Sequence, residues 1–488
     1  MKHSPFSFHG PVRAAARIAL LAPFTVLIAA GAHAATPFDT PDTGFKGRVM
    51  VDTPVVVPGT EVKLAGRDFK PGQEIRLTYG GLALGSGQPV VVGADGTFRA
   101  EFSVPADAPI GQHSVVVSAL KPAAALIHTL KVSPDVALSG EDRFAMTAQK
   151  VVPGLYQSAY SSKNNAIYVT SAVGRPPVNQ TQLVKLDAKT LEIAKAVTPA
   201  AAPALPAGGA GRPGGNAPRD PGLFAVYGVA VDDVNGNVWV TNTRQNTVAV
   251  YRQSDLTLLK QFEPGLVPHA RDVQVDEKAG KVYTSAFGTP NVAVFDAKKL
   301  EFVKNIEIKT TIAAGGPGGG APKAFSPLSL KLDSTNHKLY TVSMSTNEAA
   351  VIDTQAGEVE KVFPVEGALS AIGVAFHAKT NRLLVAAQGS DNLLIVDLAS
   401  GKTLHDVKVG AGSLNVAVDA GRGWAYVSNR AAGTVTVVDM DGKIVANLPG
   451  GSYPNHVADD GKGTIYLINK TRGSEDPEGD RVTRITPR

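Results

Sequence analysis

An all-β fold is predicted by three features of this 488-residue sequence. Short stretches in which apolar and polar residues alternate occur throughout the chain, as expected for half-buried antiparallel strands. One five-residue phrase with an aromatic second residue recurs over 142–488 at intervals typical of propeller blades. In the segment 47–134 the predicted strands are short, follow a different spacing and lack the repeated phrase. Together these features predict a seven-bladed β-propeller preceded by a small immunoglobulin-like β-sandwich.

The first 34 residues have the pattern of an export signal. Basic residues without acids precede IALLAPFTVLIAAG (18–31), an apolar run that is short for a membrane span. The following AHA (32–34) places small residues where a signal peptidase reads them, which predicts cleavage after Ala34. We therefore expect a periplasmic protein without a membrane span, with full secretion as the second choice, and a short tether over 35–46.

Cysteine count and charge narrow the possible partners. The sequence has no cysteine, so neither disulfides nor a lipid anchor on cysteine are expected. Removing the signal takes away Lys2, Arg13 and Arg17 and no acid, which lowers the formal charge from +5 to +2. A charge this small argues against a nucleic-acid partner without excluding one.

The segment 47–134 predicts the sandwich. Alternating stretches such as EVKLAG (61–66) and EIRLTY (74–79) are separated by turn sequences such as ADGT. The Cys–Trp–Cys signature of true immunoglobulin domains is absent, so the similarity is one of fold. Modules of this kind serve as adhesion surfaces, spacers or docking elements, and fold alone does not choose among these roles.

Seven segments share the repeated phrase, and they predict the propeller. The steps between their second residues are 71, 44, 57, 44, 42 and 40, and four of these match a blade period of about 40–45 residues. Each unit reads as a four-stranded sheet that must bury its faces against its neighbours, with the aromatic residue between sheets. The segments are IYVTS (167–171), VWVTN (238–242), VYTSA (282–286), LYTVS (339–343), LLVAA (383–387), AYVSN (425–429) and IYLIN (465–469).

The ends of the repeat region predict how the ring closes. The seventh unit stops after its third strand, whereas DRFAMTAQKVVPG (142–154) stands before the first unit in the place of a fourth strand. We expect this N-terminal strand to complete the last sheet, which removes an exposed edge.

The phrases IYVTS, VWVTN and AYVSN resemble those of the YVTN-repeat β-propeller family, of the YncE-like kind. The resemblance covers the repeat region and implies an exported seven-bladed propeller. Many members of that family have no assigned activity, so the resemblance implies a fold more than a function. Two phrases depart from the pattern: LLVAA lacks both the aromatic residue and the asparagine, and VYTSA is offset.

Three unusual loops are predicted on one face of the propeller. Gly/Pro-rich insertions at 199–222 and 310–323 lead into first strands. Their composition favours mobile linkers, and the alternative is a paired lid over the propeller mouth. The acidic loop 473–480 favours a solvated turn over a calcium loop, because it lacks the spacing of an EF-hand.

The innermost strands begin at the same face and are expected to line a channel. Amides around one carboxylate, with nearby histidine, arginine and tyrosine, suit a small polar ligand or a single cation. Asp272 is the one weak candidate for a metal ligand, and a merely wetted channel rim is the competing interpretation. The candidate rim residues are Tyr156, Gln157, Tyr227, His269, Arg271, Asp272, Ser329, Asn415, Asn455 and His456.

These features favour an exported, non-catalytic binding or scaffold protein that recognises a partner or small ligand at the loop-decorated face. The alternative is a lactonase-like hydrolase with a channel-bound metal, although such chemistry needs several carboxylates or amides on one cation. The sequence leaves any cofactor unknown, and the protein could function without one. A quinone-dependent dehydrogenase would need an aromatic platform, but Trp239 and Trp424 lie in packing strands. Zinc-protease and serine-hydrolase motifs are absent from the sequence.

Overall fold

The computed structural model describes residues 40–204, 220, 222–313 and 323–488. The predicted signal peptide, residues 35–39 of the tether, and most of both Gly/Pro-rich insertions with their proposed lid lie outside the described residues. Apart from β-strands, the described part contains three short 3-10 helices, Glu141–Arg143, Thr243–Gln245 and Ala378–Thr380. None of its helices has the length and apolar character needed to cross a membrane.

Eight N-terminal strands form two antiparallel sheets around a shared apolar core. One sheet has the order β1-β2-β6, and the other has the order β4-β3-β7-β8 with β5 paired to β3. Alternate residues of β2, including Val62 and Leu64, point into the core, where the rings of Phe69 and Phe98 meet edge to face. The strands are β1 (Arg48–Val51), β2 (Glu61–Arg67), β3 (Glu74–Tyr79), β4 (Leu82–Ala83), β5 (Val90–Val91), β6 (Phe98–Ser103), β7 (Gly111–Leu120) and β8 (Ala124–Val132).

Seven four-stranded antiparallel sheets follow within the described residues. The first three are β10 (Leu155–Ser161), β11 (Ala166–Ala172), β12 (Thr181–Asp187) and β13 (Ile193–Val197); β14 (Val229–Asp232), β15 (Asn237–Asn242), β16 (Thr247–Arg252) and β17 (Leu258–Gln261); and β18 (Ala270–Asp276), β19 (Lys281–Ala286), β20 (Asn291–Asp296) and β21 (Glu301–Glu307).

The next three sheets repeat this order: β22 (Pro327–Asp333), β23 (Lys338–Ser343), β24 (Glu348–Asp353) and β25 (Glu358–Pro364); β26 (Ala371–His377), β27 (Arg382–Ala387), β28 (Asn392–Asp397) and β29 (Thr403–Lys408); and β30 (Ser413–Asp419), β31 (Trp424–Asn429), β32 (Thr434–Asp439) and β33 (Ile444–Pro449). The seventh sheet combines β34 (Pro454–Asp459), β35 (Ile465–Asn469) and β36 (Arg481–Pro487) with β9 (Phe144–Lys150).

The sheets surround a common axis. The first strand of each sheet contacts the first strand of the next, and the cycle closes from β34 back to β10. Strand β36 pairs along its length with β9, from Arg481 opposite Lys150 to Pro487 opposite Phe144. The strand that precedes the first sheet therefore completes the last one, as the sequence predicted, and the result is a propeller-like all-β architecture.

The second residue of the repeated phrase fills the space between neighbouring sheets. Tyr168 of β11 packs against residues of the second sheet, and its hydroxyl donates to the backbone oxygen of Gln253 at 2.9 Å. Trp239 packs against Phe295 of the third sheet, with ring centres 5.7 Å apart. Leu384, which replaces the aromatic residue in the fifth phrase, is also fully buried. This arrangement places Trp239 in packing rather than in a ligand platform.

The N-terminal module docks beside the fifth and sixth sheets. Lys131 near the end of β8 donates to the carboxylate of Asp391 at 2.8 Å and to the backbone oxygen of Gln388 at 3.0 Å. The Asp391 side chain is 2 % exposed, so this ion pair is shielded from water on one side. Asn447 of β33 binds the linker, exchanging backbone hydrogen bonds with Ser139.

Candidate functional site

The axis has two chemically different ends. Because strands alternate in direction, the loops that lead into first strands and the loops between second and third strands lie at one end, which we call the mouth. The other loops lie at the opposite end, which we call the far end. A cavity of 230 Å³ runs along the axis and is lined by residues of all seven innermost strands.

Four of the predicted rim residues join their own innermost strand to the next one in the ring. Each accepts a hydrogen bond from a backbone N–H of the neighbouring strand, so the polar side chain satisfies a donor that the sheet leaves free. The pairs are Gln157 Oε1 with the Val229 N–H (3.3 Å), Asp272 Oδ2 with Leu330 (2.8 Å), Asn415 Oδ1 with Val457 (2.9 Å) and His456 Nδ1 with Ser158 (3.4 Å). These contacts give the four side chains a structural role.

Asp272 has both carboxylate oxygens occupied. Its Oδ1 accepts from the backbone N–H of Val273 at 2.9 Å, while Oδ2 serves Leu330. Burial raises the pKa of Asp272 to about 6, and this effect outweighs the two N–H donors and the charge of Arg271. Among the described residues, no group of three or more His, Cys, Asp or Glu side chains is placed to hold a metal ion. The alternative of a channel metal therefore gains no cluster of carboxylates and histidines from this part of the chain.

The fourth residue of the repeated phrase carries a hydroxyl in VWVTN and VYTSA. This hydroxyl forms hydrogen bonds with the backbone of the innermost strands at the mouth. Thr241 Oγ1 accepts from the N–H of Gly228 at 2.7 Å, and a Cβ on Gly228 would lie 2.6 Å from the backbone oxygen of Arg271. Ser285 in the next sheet accepts from the N–H of Asp272 at 3.0 Å and donates to the backbone oxygen of Leu328 at 2.6 Å. The backbone that carries Arg271 is thus fixed by close approach of neighbouring strands.

Five cations of the mouth lie over three tyrosine rings. Cations over aromatic faces are attracted by the ring quadrupole, and the rings of Tyr156 and Tyr227 themselves meet edge to face at 4.8 Å. The stacked pairs are Arg271 over Tyr156 (4.9 Å), Lys470 over Tyr156 (4.7 Å), Arg430 over Tyr453 (4.7 Å), Arg472 over Tyr453 (5.1 Å) and Arg244 over Tyr227 (6.0 Å).

Within the described residues, none of these five cations forms an ion pair with a carboxylate. Arg430 instead donates to Asn455 Oδ1 at 2.6 Å, and Asn455 Nδ2 donates to the backbone oxygen of Tyr156 at 2.7 Å. Of the predicted rim residues, Asn455 therefore positions a cation of the mouth, and Arg271 belongs to the cation cluster itself.

The pKa values of the mouth reflect burial and neighbouring positive charge. Burial, reinforced by Arg430, lowers the pKa of Lys470 to about 8, although Asp480 acts in the opposite direction. Burial followed by the charges of Arg271 and Arg244 lowers the pKa of His269. Removal from water and the charge of Arg271 lower the pKa of His456 to about 3. Both histidines thus favour their neutral forms, and the mouth's charge rests on arginine and lysine.

The remaining predicted residues have simpler surroundings. Ser329 lines the axial cavity, and the ring of His269 leans on Phe287 with centres 5.3 Å apart. In the acidic loop, Asp476 accepts from the N–H of Arg472 at 2.8 Å, and Asp480 accepts from the N–H of Gly154 at 2.9 Å. These carboxylates stabilise the loop that carries Arg472.

Sequence analysis did not single out Arg244, Arg430, Tyr453, Lys470 or Arg472. A signal for three of them was present. Arg430 and Lys470 directly follow the phrases AYVSN and IYLIN, and Arg244 comes two residues after VWVTN. Because the phrase ends at the mouth, a basic residue that directly follows the phrase also lies at the mouth.

Among the residues that the structure describes, one ion pair at the far end crosses the axis. Lys331 at the end of β22 lies 3.6 Å from the carboxylate of Asp459 at the end of β34. These strands belong to the fourth and seventh sheets, so the pair spans the channel. Lys331, the cation that faces the axis at this end, therefore has a carboxylate partner.

Comparison with known proteins supports the architecture. No protein family model matches the chain. The uncharacterized protein YncE of Salmonella typhi is 25 % identical over 366 residues, which cover 71 % of this chain and 92 % of that protein, and YncE of Salmonella typhimurium gives the same values.

Solved structures show the same likeness at lower identity. A catalytically inactive virginiamycin B lyase from Staphylococcus aureus with quinupristin has a TM-score of 0.51 and 13 % identity, covering 70 % of this chain and 99 % of the lyase. The hydrazine synthase of Kuenenia stuttgartiensis has a TM-score of 0.50 and 15 % identity over 65 % of this chain and 93 % of that chain. These comparisons show a propeller-like all-β protein that is similar to YncE. At such low identities they indicate the fold and do not indicate an activity.

Proposed function

We propose that this chain is an exported, non-catalytic binding protein that recognises a ligand or partner at the mouth. The observation that carries the proposal is the cluster of five stacked cations without a carboxylate partner. Arg271, Arg430 and Lys470 are partly buried, and like charges in such surroundings destabilise a fold unless something compensates them. A ligand or partner of opposite charge would supply that compensation, whereas a merely wetted rim does not require cations.

The finer architecture belongs to the same proposal. Seven sheets with a closed cycle of innermost strands support a seven-bladed β-propeller over 142–488. Two antiparallel sheets around one core support an immunoglobulin-like module over 47–134. The periplasmic location rests on the predicted signal peptide, and N-terminal sequencing of protein recovered from the periplasm checks cleavage after Ala34.

The competing hydrolase with a channel metal has less support. Asp272, its one weak candidate ligand, already accepts two backbone hydrogen bonds. A metal that activates water needs several donors converging on one point. The mouth above this carboxylate carries positive charge, which repels a cation.

The test compares a mouth variant with a variant of equal charge change at the far end. Arg271→Gln with Arg430→Gln removes two mouth cations, and Lys298→Gln with Lys299→Gln removes two exposed cations from the loop between β20 and β21. Each protein is incubated with concentrated periplasmic extract, and bound proteins and small molecules are identified by mass spectrometry. We expect a species that the wild type and the far-end variant retain and the mouth variant loses. Equal retention by all three proteins contradicts the proposal.

A further inference from the structure

We infer that the mouth binds a compact ligand with two or more anionic groups of the carboxylate or phosphate type. The inference rests on the proposed function and specifies its ligand class. Guanidinium groups present several N–H donors in a fixed plane that suits the oxygens of both anion types. The mouth supplies four such groups and one ammonium.

The number of cations calls for more than one negative charge. Arg271 and Lys470 share the ring of Tyr156, at 4.9 and 4.7 Å from its centre, and Arg430 and Arg472 share the ring of Tyr453. Asn455 links the two groups through Arg430 and the backbone of Tyr156. A monoanion would leave most of this charge uncompensated, whereas two anionic groups on a short frame can reach both tyrosines.

A buried hydroxyl adds a neutral donor beside the cations. Tyr227 is 5 % exposed, and its hydroxyl oxygen accepts from Arg244 Nε at 3.3 Å. The hydroxyl proton is therefore directed elsewhere and can be donated to an anionic oxygen. Burial also raises the pKa of Tyr227, so the group keeps this proton at neutral pH.

The order of the mouth favours a compact ligand. The ring of Tyr156 contacts both Arg271 and Lys470 before any ligand arrives, which reduces the ordering that binding would otherwise require. The cations converge on one opening rather than forming the extended track that a long polyanion follows.

Calorimetric titration of the purified protein tests the inference with defined probes. Citrate represents carboxylates and inorganic pyrophosphate represents phosphates, so the two arms distinguish the source of the anion. Acetate is the monoanion control, and a single-stranded oligonucleotide tests the long polyanion. We expect saturable binding of citrate, pyrophosphate or both, and an affinity for acetate that is lower by at least about tenfold.

Variants then locate the binding. Arg271→Gln is expected to weaken binding of the tighter probe by at least about tenfold, and the exposed Arg472→Gln by a smaller factor without affecting the fold. The Lys298→Gln/Lys299→Gln protein should bind as the wild type does, and thermal unfolding shows that each variant is folded. Failure of both small anions, or binding unchanged by both mouth variants, overturns the inference. Binding of the oligonucleotide alone also overturns it.

The two proposals can fail separately. If the small anions fail but periplasmic extract still yields a species that only an intact mouth retains, the ligand class is wrong and the binding function stands. If no species depends on the mouth, the proposed function itself is wrong.

Discussion

The two ends of the channel are built from opposite ends of the same innermost strands, yet their cations have different partners. At the far end, Lys331 meets Asp459 across the axis. At the mouth, five cations face tyrosines and none meets a carboxylate within the described residues. A water-filled channel needs polar residues at both ends, so polarity alone marks no function. The mouth is distinguished by stacked cations that form no ion pair among the described residues, whereas Lys331, which faces the axis at the far end, has a carboxylate partner.

A second distinction separates residues within the mouth. Gln157, Asp272 and Asn415 use their side chains to satisfy backbone N–H groups of the neighbouring strand. Arg271 and Arg430 use theirs to face aromatic rings and the opening. Residues that lie side by side in the sequence, such as Arg271 and Asp272, therefore have different roles. The predictions below test both distinctions in order of decreasing expected effect.

Gly228→Ala should be the most destabilising of these changes. A Cβ at this position would lie 2.6 Å from the backbone oxygen of Arg271 and 2.9 Å from Thr241 Oγ1, and backbone atoms cannot move away as a side-chain end can. We expect the free energy of unfolding, measured by urea denaturation, to fall by about 3 kcal/mol. Gly473→Ala, where a Cβ meets no atom within 4 Å, is the matched control. Equal stability of the two variants would show that the strands at the mouth are less constrained than described.

Asp272→Asn should remove a pH-dependent contribution. The pKa of this carboxyl rises from 3.8 in the unfolded chain to about 6 in the fold, so the folded state binds the proton more tightly. Its contribution to stability is complete below pH 3.8 and is lost as the pH rises through 6, by ~3 kcal/mol at pH 7. Urea denaturation of the wild type and the variant at pH 4 and pH 7 measures this difference.

The comparison with the far end uses the same change at Asp459. Asp459→Asn at the far end removes the partner of Lys331 and leaves the Asp272 titration in place. If the free energies of unfolding of the wild type and of Asp272→Asn change by the same amount between pH 4 and pH 7, the environment described for Asp272 is contradicted.

Lysine-to-methionine changes at the two ends should act in opposite directions. The folded-state pKa of Lys470, about 8 instead of 10.5, means that the charged amine disfavours the fold at pH 7. Lys470 is partly exposed, and screening by solvent reduces the effect, so Lys470→Met should raise the free energy of unfolding by about 1–2 kcal/mol. Methionine also retains a favourable contact with Tyr156. Lys331→Met should instead lower it by about 0.5–1 kcal/mol, because Asp459 loses its partner.

The pH dependence sharpens this pair of variants. The gain from Lys470→Met should shrink as the pH rises from 8 towards 10.5, since the wild-type amine then loses its proton in the fold. The charges that act on this amine are Arg430, Asp480, Arg271 and Arg244. Denaturation curves at pH 7 and pH 9.5 provide the measurement. Destabilisation by both lysine changes at pH 7 would remove the contrast between the ends.

The smallest effect is expected for coupling across the far end. A double-mutant cycle of Lys331→Met and Asp459→Asn should give a coupling energy of about 0.5–1 kcal/mol that decreases at high salt, because the pair is partly exposed. A coupling energy near zero would mean that the pair of Lys331 and Asp459 does not stabilise the fold. The far end and the mouth would then not differ in this respect.

The strands were predictable because the repeated phrase combines an aromatic residue with a fixed period. IYVTS lies within β11 and AYVSN within β31, since a residue that fills the space between two sheets must recur once per sheet. The pairing of β9 with β36 was predictable from the missing fourth strand of the last unit. These inferences need only sheet geometry and the burial of apolar faces.

The site was less predictable because it depends on how adjacent sheets meet. Gln157 and Asp272 are residue types that often bind ligands. Only the position of the neighbouring strand shows that their side-chain oxygens already accept hydrogen bonds from backbone N–H groups. Arg430 and Lys470 follow second strands, whereas the predicted rim residues lie where innermost strands begin. The ends of second strands reach the same face, which places those two cations beside Arg271.

The pairing of β9 with β36 makes closure of the ring depend on chain length. A chain that stops before Arg481 leaves β9 and β35 with unpaired edges, which are open to association with other chains and to proteases. The sheet that joins both ends of the repeat region is therefore complete only when its last strand is present. Products shortened by a single strand should be removed or should aggregate, rather than persist with a nearly intact mouth.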